Sequence, residues 1–349
     1  MAMRRRAKAP EADAPGMPQS APELVIRVRR IPVARGVERI KRVVEFAPQS
    51  FAAWLVLGSG EQLLDNIGAA EGAYRQAVNL SPRDHDARYN LALTLLQRMK
   101  LAEAEQISRQ LVQENPRDAN AWIALGSALQ GQARLPESIA ALRRSVELGG
   151  HPTNHSKLLV ALHYADDVDP ITIHREHEAW NAQHAQPLAP SGGPTYRLPS
   201  SAQPLRIGLV ATDFFGSPSG YFILRGIECL DKSRCRVVCY SDRLSEDDHT
   251  ARFRAAAEIW RNTMSLTDEQ LATQVRKDQI DVLIDVGGHV GRRLLTFARR
   301  PAALQVTWFA YVGTTGLATM DGLIADRFHV HPGEEHFYTE KVQIGRAHV

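Results

Sequence analysis

Three short stretches carry most of the residue types that can do chemistry. In DVGGHVGRR (285–293), His289 stands at the end of an apolar run, where an imidazole can act as general base or hydrogen-bond donor near neutral pH. Gly287, Gly288 and Gly291 let a backbone approach closely, and Arg292, Arg293, Arg299 and Arg300 suit either a phosphate or plain solvent. In ATDFFGSPSGY (211–221), Asp213 is the one strong base or charge partner. In YVGTTGLATMD (311–321), Thr314 and Thr315 offer two hydroxyls between glycines. DVGGHVGRR lacks the Gly-Lys-Ser/Thr ending of a phosphate loop and is not a clean dinucleotide fingerprint. Pattern alone slightly favours ordinary strand-to-helix turns for the His289 and Thr314 stretches.

Two other groups are weaker. His174 and His177 are three apart and His184 follows, but no carboxylate or Cys completes a metal set. Cys229, Cys235 and Cys239 have a spacing foreign to zinc sites and read as buried or half-buried thiols. No metal is expected.

The elements that must hold these loops alternate. Apolar runs at 205–211, 235–241, 280–286, 303–310 and 321–326 read as strands, with helical stretches near 219–230, 248–258, 267–278 and 292–299. That alternation predicts a doubly wound, Rossmann-like parallel sheet, in which ligands sit beyond the C-terminal strand ends. All three chemical stretches fall there.

The first half has a different period. Pro48, Pro82 and Pro116 fall 34 residues apart, the spacing of tetratricopeptide repeats. Leu57, Leu91 and Leu125 keep the register, as do Gly58, Ala92 and Gly126, then Ala70, Ala104 and Ser138. Repeats are read at about 51–84, 85–118 and 119–152, with a partial unit before, making 31–152 an α-solenoid. Its groove suits a peptide, and a spacer or homodimer surface suits the pattern equally well. Residues 153–187 continue as linker helices, and the Pro/Gly/Ser-rich 188–204 marks a boundary before a lobe over 205–343.

Composition bounds the rest. The chain has 349 residues, 44% apolar and 23% charged, with net charge +3, which gives no general case for nucleic acid. No window approaches 18 consecutive apolar residues, so no membrane helix is expected. Residues 1–30 read as a disordered basic, Pro/Ala-rich tail, and three Cys suit a reducing, cytoplasmic setting.

Residues 298–326, ARRPAALQVTWFAYVGTTGLATMDGLIAD, closely resemble the O-GlcNAc transferase family. GGHVGRRLLTFARRP, RIGLVATDFFGSPSGYFI and the helix HREHEAWNAQHA are similar to family segments, and the order of parts is the family's. The resemblance covers nearly everything from about 48 to 343. It implies an inverting, metal-independent transferase of GT-B architecture that moves N-acetylglucosamine from UDP-GlcNAc to Ser or Thr of proteins presented by the repeats. It further implies that Asp213 and His289 are catalytic, and that Phe214, Tyr221, Phe309, Ala310, Tyr311, Gly313, Thr314 and Thr315 line the substrate cleft.

Departures accompany the match. Ser217 stands where the family carries a cleft His, Ala310 where it has Gly, and Val312 where it has Pro. The family continues into a second UDP-binding lobe, so the natural chain is expected to extend past Val349 and the final IGRAHV to be non-native. Without that lobe the chain is expected to be inactive alone. The alternative is a repeat scaffold with a degenerate lobe.

Overall fold

The computed structural model describes residues 33–191 and 203–345. The expected basic tail (1–30) and most of the expected Pro/Gly/Ser linker lie outside these residues.

Helix α1 (Val33–Phe46) precedes three helix pairs: α2 (Phe51–Leu63) with α3 (Ile67–Leu80), α4 (His85–Gln97) with α5 (Leu101–Glu114), and α6 (Ala119–Gly131) with α7 (Leu135–Glu147). The 34-residue period has a local cause. Ser50, Asp84 and Asp118 each cap the helix that follows, their side-chain oxygens accepting from Ala53, Ala87 and Asn120 N–H. Trp54 and Trp122 donate their indole N–H to the carbonyls of Pro48 and Pro116. Arg88 takes the equivalent place in the middle repeat and pairs with Glu114 instead. A Cβ at Gly58 would lie 2.7 Å from the Tyr74 ring, and one at Gly126 would lie 2.7 Å from Leu142, so the small residues set how closely paired helices pack.

Helices α8 (Pro152–Leu162) and α9 (Pro170–Trp180) extend the array, and a π turn at Asn181–Ala185 ends it. Seven strands then form one parallel sheet: β1 (Leu205–Ala211), β2 (Cys235–Ser241), β3 (Ile259–Asn262), β4 (Val282–Asp285), β5 (Leu304–Trp308), β6 (Gly322–Ala325) and β7 (Lys341–Ile344). Their order is β3-β2-β1-β4-β5-β6-β7, with the reversal between β1 and β4. Five strands match the sequence reading. The two additions, IWRN and KVQI, are four-residue edge strands without an apolar run to announce them. Helices α10 (Pro218–Glu228), α11 (Asp248–Ala256), α12 (Asp268–Lys277) and α13 (Leu294–Ala298) cover the faces.

Alternation along β1 divides the core. Leu209 and Ala211 pack with Phe214, Ile223 and Phe253 on one face. Val210 packs on the other with Leu283, Phe297, Leu159 and Trp180, so the linker helices share a core with the sheet. Among the described residues no helix is long and apolar enough to cross a membrane.

Candidate functional site

The strand-order reversal places a crevice beyond β1 and β4, the usual ligand position in such sheets. The β1 loop enters it. Asp213 is half-buried; one carboxylate oxygen accepts from the Thr212 hydroxyl at 2.9 Å and the other faces the Ser217 hydroxyl at 3.5 Å. Ser217 is buried and caps α10, its hydroxyl oxygen accepting from Gly220 N–H at 2.9 Å. Tyr221, on the first turn of α10, is exposed, its ring 5.0 Å from His249. Phe214 points the other way. It is 2% exposed, packed on Phe253 and Trp260, and anchors the loop to the core.

The β4 turn is closed. Asp285 is buried and accepts from Gly288 N–H at 2.7 Å and the Thr307 hydroxyl at 3.2 Å. Burial raises its carboxyl to about 6, with those two donors pulling the other way. His289 is 4% exposed, and both ring nitrogens are engaged. Nε2 lies 2.9 Å from the Thr315 carbonyl and therefore carries the proton; Nδ1 accepts from the Ser156 hydroxyl at 2.9 Å. Burial pushes the imidazole down to about 3. His177, Trp180 and Tyr311 pack around it at 4.8–5.3 Å between ring centres. As placed, this ring joins α8 to the sheet and presents no free nitrogen to the crevice.

The β5–β6 loop is split between two environments. Phe309 has φ +65°, a strained backbone for an aromatic residue, and its ring lies 5.5 Å from that of Phe222. Half-buried Ala310 follows. A cleft of about 690 Å³ opens here, lined by Phe222, Trp308, Phe309, Val312, Phe328 and His329 among others. The rest of the loop turns inward. The Tyr311 hydroxyl donates to His177 Nε2 at 2.8 Å, and a Cβ at Gly313 would lie 2.5 Å from His163 Nε2. Thr314 and Thr315 are buried and spend their hydroxyls on Glu340, at 2.5 Å for Thr314, while Thr315 N–H donates to the same carboxylate at 2.7 Å.

Comparison with known proteins bears on the fold that holds these loops. The family described as Glycosyl transferase family 41 matches residues 188–346, and a tetratricopeptide repeat matches 73–106. A point mutant of Thermobaculum terrenum O-GlcNAc transferase superposes with TM-score 0.79 at 33% identity, covering 85% of this chain and 57% of that one. The lobe is similar to glycosyl transferase family 41. A barley protein described as a probable UDP-N-acetylglucosamine–peptide N-acetylglucosaminyltransferase SPINDLY is 32% identical over 190 residues, 53% of this chain and 20% of the relative. The Caenorhabditis elegans UDP-N-acetylglucosamine–peptide N-acetylglucosaminyltransferase is 34% identical over 134 residues, 36% of this chain and 11% of the relative. The chain thus spans a fifth or less of those curated relatives.

Within the lobe, Asp213, Tyr221, Phe309 and Ala310 reach the strand-end surface. Phe214, His289, Tyr311, Gly313, Thr314 and Thr315 lie inside, holding the loops. Sequence reasoning missed Glu340, Asp285 and Ser156. Glu340 lies 25 residues past Thr315 and Ser156 lies 133 residues before His289, and no local pattern links either pair.

Proposed function

We propose that this chain is the repeat-bearing, acceptor-side part of a peptide N-acetylglucosaminyltransferase that uses UDP-GlcNAc. The observation that carries the reading is the match to the bacterial transferase over 85% of the chain, repeats and lobe together. In the reaction a Ser or Thr hydroxyl of the acceptor attacks the anomeric carbon. The new C–O bond forms as the sugar–phosphate bond breaks, the hydroxyl proton passes to a base, and UDP leaves with the electron pair. Asp213 is the strand-end group suited to take or steer that proton, and the N-terminus of α10 beside it favours negative charge. Tyr221, Phe309 and Ala310 line the approach of acceptor and sugar. His289, Tyr311, Gly313, Thr314 and Thr315 are positioning residues that fix the strand-end loops, and Phe214 anchors the β1 loop. The chemistry calls for no metal.

Repeats would recruit the acceptor polypeptide, and exposed Phe46 and Val56 at the first helices offer a surface for a homodimer. Three free cysteines suit a cytoplasmic setting. A second reading, a non-catalytic scaffold, is favoured by one observation: Ser217, where the family carries a cleft His, is committed as a helix cap.

A transfer assay with labelled UDP-GlcNAc tests the choice. The 349-residue chain alone is expected to give no labelled peptide. Joined after Gln343 to the C-terminal remainder of the Thermobaculum enzyme, it is expected to label Ser/Thr peptides. Transfer by the chain alone would contradict the need for a second lobe, and a fusion that binds UDP yet transfers nothing would favour the scaffold.

A further inference from the structure

A cavity of about 310 Å³ lies between the first two repeats and the loop that follows β2. Gln62, Asp65 and Gln97 line it from the repeats, and Arg243, Ser245 and Arg292 from the lobe. Arg243 spans the gap. Its guanidinium pairs with Asp65, in the turn between α2 and α3, and lies over the Phe215 ring, 4.0 Å from its centre. Asn262 Nδ2 donates to the Arg243 carbonyl at 2.5 Å and fixes the backbone beneath it.

Two residues that line this cavity each carry an unsatisfied polar atom. Arg243 Nε and Ser245 Oγ are buried and have no hydrogen-bond partner. Buried polar groups are ordinarily satisfied, so an unsatisfied donor and hydroxyl just behind the wall of one cavity point to an acceptor oxygen that belongs there once the two side chains turn toward it. The charges agree. Asp242, almost fully buried, is already met by Arg293, whose side chain is 11% exposed; Arg292 shares that carboxylate with a side chain 52% exposed. Asp65, the partner of Arg243, is itself half exposed, and an exposed ion pair is cheaply exchanged. A guanidinium stacked on an aromatic ring, with an unpartnered Nε, matches a carboxylate by geometry as well as charge.

Phe215 links the cavity wall to the β1 loop. Phe215, under Arg243, donates its N–H to the Asp213 carbonyl at 2.8 Å within the β1 loop. A polypeptide held here lies between residues of the first two repeats and the loop that carries Asp213.

We propose that this cavity binds an acidic side chain, Asp or Glu, of an extended polypeptide acceptor, and that Asp65 is an internal competitor for the same Arg243. The inference deepens the acceptor reading above and rests on it. An acidic residue seated on Arg243 and Ser245 replaces Asp65 and fixes which hydroxyl of the acceptor arrives at the crevice.

The test is fluorescence anisotropy on the 349-residue chain with two labelled peptides of about a dozen residues, long enough to span repeat and lobe when extended. They share their Ser and Thr residues and differ only in Asp/Glu against Asn/Gln. The acidic peptide is expected to bind about tenfold tighter at low salt, an advantage that shrinks as salt rises. Arg243→Gln is expected to abolish the difference while leaving helical content unchanged. Asp65→Asn is expected to tighten the acidic peptide several-fold by removing its competitor, an effect that general damage to the fold does not produce. Equal affinity for the two peptides overturns the acidic preference while leaving acceptor binding by the repeats intact. A preference that survives Arg243→Gln, weaker acidic binding by Asp65→Asn, or no binding of either peptide also overturns the proposal.

Discussion

The β1 loop and the β5–β6 loop look alike in sequence: each follows an apolar strand, mixes glycine with hydroxyl residues, and ends beside a helix or turn. In the fold they part. The β1 loop buries only Phe214 and its cap Ser217, and holds Asp213 and Tyr221 toward the strand-end surface. The β5–β6 loop exposes Val312 and half-exposes Phe309 and Ala310, then locks Tyr311 onto His177 and both threonines onto Glu340. A glycine-and-hydroxyl loop at a strand end can therefore be a clamp on the protein's own carboxylate as readily as a cradle for a ligand. Changes in the clamp are expected to cost stability, and changes in the open loop to cost binding or transfer.

Acid gives the largest effect on the clamp. His289 is held neutral at about 3, and His155 and His163 at about 4, each by burial. In the unfolded chain each titrates near 6.5, so below that pH the unfolded state takes up protons that the folded state refuses. The stability these rings lend is complete above about pH 6.5 and falls steadily toward pH 4. His289 alone accounts for about 2 kcal/mol by pH 5, with the other two adding in the same direction. Urea unfolding at pH 7.5 and pH 5 measures it, and unchanged midpoints would show that the rings are not buried as placed.

Removing the clamp's carboxylate comes next. Glu340→Ala strips the Thr314 hydroxyl and the Thr315 N–H and hydroxyl of their acceptor, and about 3 kcal/mol of stability is expected to go with it. Thermal unfolding reads the loss, and Glu340→Gln, which keeps an acceptor oxygen, should recover part of it. Tyr311→Phe leaves His177 Nε2 buried without a donor and is expected to cost about 1–2 kcal/mol by the same measurement. The smallest effect belongs to the open loop. Ser217→Ala removes the α10 cap at about 1 kcal/mol, seen as faster amide exchange in the first turn of α10 with the β5–β6 loop unchanged.

Much of the fold was legible because its signals are local. The 34-residue period survives in single residues such as Pro48, Pro82 and Pro116, and the caps Ser50, Asp84 and Asp118 repeat with it. Strands β1 and β2 were bounded to the residue, since a largely buried strand leaves a mostly apolar run. Edge strand β3 pairs on one side alone and needs no such run. Which loops lie at the strand ends was legible, and which of their side chains stay exposed was not. Family motifs mark which loops meet at the strand ends. Whether a side chain faces the crevice or the interior depends on partners far along the chain, such as Ser156 for His289, Glu340 for Thr314 and Thr315, and His163 for Gly313.

The contrast between the two loops is tested most directly in the fusion that carries the Thermobaculum remainder. Asp213→Asn and Thr314→Val are compared there for kcat of GlcNAc transfer and for Tm. Asp213→Asn is expected to lower kcat by about 100-fold or more with little change in Tm, and Thr314→Val to lower Tm while kcat at a permissive temperature stays within a few-fold. The reverse pattern, transfer lost with Thr314→Val and kept with Asp213→Asn, would contradict that contrast.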